Sequence, residues 1–111
     1  MNRNVSLLNH ILEDINDIQE YIRGLSYEEF VNNTLIRKAA CMSLINIGEL
    51  TKALSTDFKN MNKQIAWKDI AGLRDITAHK YHSLNLDIIW AVLVNDIPVL
   101  KVFIENELNC H

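Results

Sequence analysis

Leu8, Ile11, Ile15, Ile18 and Ile22 recur at intervals of three and four residues. That spacing lays one apolar stripe along a helix and commits this part of the chain to packing against something else. Glu13, Asp14, Asp17 and Glu20 turn largely away from the stripe, so the pattern predicts a helix from about Val5 to Arg23, stopped by Gly24. Little downstream interrupts further helices, because the 111 residues hold only three glycines and one proline. With 49% apolar residues, such a chain can bury the core of a single domain over residues 1–111, but not of two.

Ser26 followed by Glu28 and Glu29 reads as an N-cap, with Glu29 at the capping-box position. It opens a short helix that runs into, or breaks before, a long one from about Thr34 to Leu54. There Leu35, Ala39, Met42, Ile45 or Ile47, and Leu50 carry the helical period. Gly48 costs about 1 kcal/mol against alanine inside that helix, which close approach of another helix would explain. The polar run STDFKNMNKQ predicts a loop. A third helix, IAWKDIAGLRDITAH, places Trp67, Ile70, Leu73 and Ile76 on one side before KYHSLN breaks the pattern. Asn85 can cap a last helix, with Asp87 in its first turn and Leu86, Ile89, Trp90, Leu93, Ile97, Leu100 and Ile104 facing inward. Pro98 should kink it, or restart it with Asp96 as a new cap. The expected fold is all-α, an up-and-down bundle of four main helices. Val92, Val94, Val99, Val102 and Phe103 exceed what one buried face needs, which predicts self-association.

No apolar run approaches the roughly 18 to 20 residues of a membrane span. Acidic residues enter the N-terminal stretch too early for a signal-peptide core. A soluble, cytoplasmic protein is expected, with Cys41 and Cys110 as reduced thiols. The net charge of −3 argues against bulk electrostatic binding to nucleic acid. Its distribution is uneven: residues 1–33 carry −4, residues 34–82 carry +4 and residues 83–111 carry −3. The positive segment ends in RDITAHKYH, residues 74 to 82.

Metal-binding and phosphate-loop signatures are absent from the sequence, so no metal or cofactor is expected. His10 and His111 read as surface histidines. Arg74, Asp75, His79, Tyr81 and His82 remain. The plain reading pairs Arg74 with a carboxylate and sets His79 at a negative helix end. On an ideal helix, residues five apart lie about 140° from each other, so Arg74 and His79 need not touch. A chemical reading is also open, because RNA is cleaved without metal when its 2′-hydroxyl loses a proton and attacks the adjacent phosphorus. Arginine suits the phosphate, since its planar fork donates two hydrogen bonds at once. Histidine suits both proton transfers near neutrality. A second imidazole is wanted, from His82 or from His79 of a second subunit across a two-fold axis.

The run WKDIAGLRDITAHKYHSLNLDIIWAVLVNDIPVLK resembles the HepT-like branch of the HEPN superfamily, small all-helical toxins carrying R-x-x-x-x-H-x-Y. In this sequence the motif is Arg74, His79 and Tyr81. The upstream run IRKAACMSLINIGELTKAL fits that branch's long helix, and the first helix matches only in character. The resemblance implies a homodimer whose two motifs line one cleft and act as a metal-independent endoribonuclease on RNA such as tRNA or mRNA. It assigns catalysis to Arg74 and His79 and support to Asp75, where the family commonly has asparagine. It further implies a type VII toxin–antitoxin system, in which a minimal nucleotidyltransferase antitoxin transfers AMP to Tyr81. Added bulk and negative charge there would block an RNA cleft. Arg37, Lys38, Lys80 and His82 are candidate RNA contacts. The rival expectation is a non-catalytic HEPN module that presents a substrate or nucleotide to a nucleotidyltransferase.

Overall fold

The computed structural model describes residues 2–76 and 86–110. Among them all regular structure is helical. Helix α1 spans Arg3–Ile22, and its N-terminus is capped by Asn2, whose side chain accepts a hydrogen bond from the Asn4 N–H at 2.7 Å. Its stripe Leu8, Ile11, Ile15 and Ile18 is buried as the periodicity requires. Gly24 follows with φ +73°, a left-handed conformation that costs glycine nothing and turns the chain.

The Ser26 capping box closes on α2, Tyr27–Asn32: the Ser26 hydroxyl accepts from the Glu29 N–H at 3.1 Å, and Glu29 Oε1 accepts from the Ser26 N–H at 2.9 Å. Phe30 is fully buried, with its ring centroid 5.0 Å from that of Trp90. Asn33 then ends α2 and caps α3, Thr34–Ala53, so the two helices are separate.

Helix α3 corrects one sequence expectation. Its buried face is Ala40, Cys41, Ser43, Leu44, Ile47, Gly48 and Thr51, while Leu35 is 78% exposed and Met42 58% exposed. Small residues share that face with Leu44 and Ile47, letting neighbouring backbones come close, while Leu35 and Met42 face out. The segment expected as a loop is also partly helical: α4, Thr56–Met61, is capped by Ser55. Ser55 is tied to Asn4 by two further hydrogen bonds, 3.0 and 3.1 Å, that fasten the start of α1 to this corner.

Helix α5 is short, Trp67–Ala71, and tightens into a 3-10 turn, Gly72–Asp75, with extended backbone at Ile76 (φ −70°, ψ 105°). The expected third helix is therefore interrupted at Ile76, and the end expected at His79 lies outside the described residues. Trp67 anchors it: its indole N–H donates to the Asn62 carbonyl at 2.9 Å, and its ring packs with Phe58 and Phe103, each centroid 5.7 Å away. Phe103 thus belongs to the core and is no surplus.

The last helical run comprises α6, Leu86–Ala91, a π-helical turn, Val92–Asp96, and α7, Ile97–Asn109. Pro98 lies at the start of α7, just after the π turn, so the proline is accommodated by a wider turn and not by a new cap. Asp96 has helical backbone angles and makes no side-chain capping bond. Asn85, expected as the cap of this run, lies outside the described residues. Ile89, Leu93, Ile97, Leu100 and Ile104 are buried; Val94, Val99 and Val102 are exposed, as the apolar surplus predicts. Helix α1 packs on α3 and α7, and α3 carries α5 and the 3-10 turn on its side. Among the described residues no helix is long and apolar enough to cross a membrane.

Candidate functional site

Arg74 occupies the 3-10 turn, and α3 sets where that turn lies. A Cβ built on Gly48 would stand 3.1 Å from the Ala71 carbonyl oxygen and from the Arg74 Cα, and would overlap the Arg74 backbone nitrogen. These are backbone atoms, which cannot swing aside as a flexible side chain can. The close approach expected at Gly48 is therefore a contact with the motif arginine itself. Ile76, buried just after the turn, and Trp67 before it hold the two ends of the segment in the core.

The residue after Gly48 meets the same arginine by its side chain. Glu49 Oε1 lies 3.8 Å from Arg74 Nη1, with the glutamate side chain 57% and the arginine side chain 39% exposed. This is an ion pair beyond hydrogen-bonding distance, and at such exposure it contributes about 0–1 kcal/mol. Pairing with a carboxylate was the plain expectation for Arg74. The partner's identity was not legible, because residues 49 and 74 share no local spacing. Asp75, the expected supporting residue, is exposed on the same turn.

Arg37 and Lys38 are not brought beside Arg74. They lie near the start of α3, eleven and ten residues before Gly48, or about 15–17 Å along the helix axis at 1.5 Å per residue. Arg37 donates to the Thr34 hydroxyl at 3.2 Å, and Lys38 is exposed. His79, Lys80, Tyr81 and His82 lie outside the described residues.

Two hollows lie near the arginine turn, one lined in part by Leu73 of the turn and one by Glu49 of α3. One, about 350 Å³, is floored by Ile70, Leu73, Ile97 and Leu100, with Asp69 and Asp96 at its margin. The other, about 310 Å³, opens between α1 and α3 and is lined by His10, Asp14, Asp17, Asn46 and Glu49. Partial burial raises the Asp14 carboxyl above its ordinary value, against the opposing effect of a hydrogen bond with Asn46. The hollow between α1 and α3 is thus acidic and unsuited to a polyanion. His10 is exposed, as expected of a surface histidine. Among the described residues no three His, Cys, Asp or Glu side chains converge as metal ligands would.

Comparison with known proteins identifies the family. Residues 11–107 match the family described as "Ribonuclease HepT-like". The chain is 35% identical to "Putative RNase MJ1380" of Methanocaldococcus jannaschii, over 90% of this chain and 92% of that protein. It is 37% identical to "Putative RNase TTE0752" of Caldanaerobacter subterraneus, over 85% of this chain and 84% of that protein. It is 33% identical to "Probable ribonuclease HepT" of Thermococcus cleftensis, over 85% of this chain and 86% of that protein. No solved structure matches the chain.

Proposed function

Since the chain belongs to the HepT-like ribonuclease family, we propose that it is a metal-independent endoribonuclease acting as the toxin of a toxin–antitoxin pair. The observation that carries this reading is the seating of Arg74, its backbone fixed against Gly48 and its guanidinium partly open to solvent. An arginine held in this way offers a placed cation with a planar donor fork.

In this reading the 2′-hydroxyl of RNA gives its proton to an imidazole and its oxygen attacks the neighbouring phosphorus. A 2′,3′-cyclic phosphate forms, the bond to the 5′-oxygen breaks, and that oxygen takes a proton from an imidazole on the opposite side. Arg74 stabilises the charge that builds on the phosphoryl oxygens, where a preorganised donor contributes most. His79 transfers protons. The second imidazole comes from His79 of a second subunit, or from His82. The exposed Val94, Val99 and Val102 support association of two chains into one cleft. Tyr81 is the off-switch: a minimal nucleotidyltransferase partner transfers AMP to it, and the added phosphate repels RNA.

Purified protein incubated with tRNA or mRNA in excess chelator tests the reading. Wild type should release fragments ending in 2′,3′-cyclic phosphate, while Arg74→Ala and His79→Ala should not. Intact RNA with wild type, or equal cleavage by all three, would sink it.

A further inference from the structure

Resting on the ribonuclease reading, we propose that Glu49 is a positioning residue for Arg74, holding the guanidinium through Nη1 so that its other edge meets the scissile phosphate. Two consecutive residues of α3 act on the same arginine by different means. Gly48 lets the backbone of the turn seat directly on the helix, and Glu49 reaches the far end of the Arg74 side chain. The root and the tip of the arginine are thereby referred to one rigid element.

Which guanidinium nitrogen Glu49 approaches is informative. Nε and Nη2 form the one of the guanidinium's two bidentate edges that does not include Nη1, and its two parallel N–H groups match two oxygens of a phosphate. The contact at 3.8 Å is to Nη1, outside that edge. A close, bidentate carboxylate would consume the donors that the phosphate needs. A longer contact through Nη1 instead orients the group and leaves the paired donors available. Glu49 touches neither substrate nor reacting atoms in this role.

The same carboxylate has a cost, since its negative charge stands near the path of an anionic substrate. Positioning and repulsion therefore predict opposite signs on turnover and binding, a pattern that a merely structural side chain would not produce. The residue is more than half exposed, so replacement leaves the core intact.

The test compares wild type, Glu49→Gln, Glu49→Asp and Arg74→Ala as full chains. It measures kcat and KM on a cleavable RNA, and affinity for the same sequence with 2′-O-methyl groups, which binds but cannot react. Glu49→Gln should lower kcat by about two- to fivefold, the scale of a half-exposed ion pair, while binding of the 2′-O-methyl RNA holds or tightens. Glu49→Asp, which keeps the charge on a shorter arm, should recover part of the lost turnover. An unchanged or raised kcat in Glu49→Gln, or a loss accompanied by weaker binding, overturns the proposal while Arg74→Ala remains inactive. If Arg74→Ala cleaves as wild type does, the ribonuclease reading itself falls and takes this inference with it.

Discussion

Gly48 and Arg74 meet backbone to backbone, with no room for a methyl group between them. Glycine inside α3 gives up about 1 kcal/mol of helix propensity relative to alanine, and what it obtains is the placement of the motif arginine. A residue 26 positions earlier in the chain thus determines where the candidate chemistry sits.

Gly48→Ala should therefore harm activity more than stability. Overpacking against fixed backbone costs about 1–3 kcal/mol, and the gain in helix propensity offsets about 1 kcal/mol of that. Urea unfolding should show a small loss, while RNA cleavage falls at least tenfold because the turn carrying Arg74 is pushed off α3, a misplacement of the size that costs about a hundredfold in well-aligned sites. Full activity in a stably folded Gly48→Ala would show that the seating is irrelevant.

Arg74→Lys keeps the positive charge and loses the fork. If the group donates two parallel hydrogen bonds to a phosphate, turnover should drop by about a hundredfold, with folding unchanged. The measurement is single-turnover cleavage of a defined RNA. A lysine variant within threefold of wild type would mean that only charge matters at this position.

The capping box predicts a pH-dependent contribution of known sign. The Ser26 backbone N–H, bonded to the ionised form, holds the Glu29 carboxyl below its ordinary 4.5. As pH falls the unfolded chain takes up the proton first. The contribution is thus present above that ordinary value and is lost as pH falls through the lower folded one. Glu29→Gln should be less stable than wild type at neutral pH, and the gap should close on acidification. Ser26→Ala, which loses the cap bond itself, should cost about 1 kcal/mol. Chemical unfolding followed by circular dichroism at neutral and acid pH reads both; a gap that widens toward acid would contradict the assignment.

The two thiols should differ sharply in reactivity. Burial pushes Cys41 up to about 11, with Arg37 opposing only in part, while Cys110 is exposed. A thiol reagent at neutral pH should label Cys110 rapidly in the native protein and Cys41 only after unfolding. Equal rates in the native state would mean that α3 opens far more readily than its packing implies.

The sequence by itself determined the elements whose causes are local. The α1 stripe, the Ser26–Glu29 box and the burial of Ile89, Leu93, Ile97, Leu100 and Ile104 all follow from spacing or from contacts within four residues. Even Gly48 announced a close approach, because glycine in a helix interior carries a penalty that something must offset. The RDITAHKYH motif and its flanks marked the family, which the match over residues 11–107 bears out. Tertiary structure alone decided the rest. It put Leu35 and Met42 outside and Ala40, Ser43 and Gly48 inside beside Leu44 and Ile47, because which face of a helix is buried depends on the neighbours it packs against. It ended the third helix at a 3-10 turn whose shape the contact with α3 constrains. It also gave Arg74 its partner in Glu49, since a side chain reaching across from another helix leaves no periodic trace in the chain.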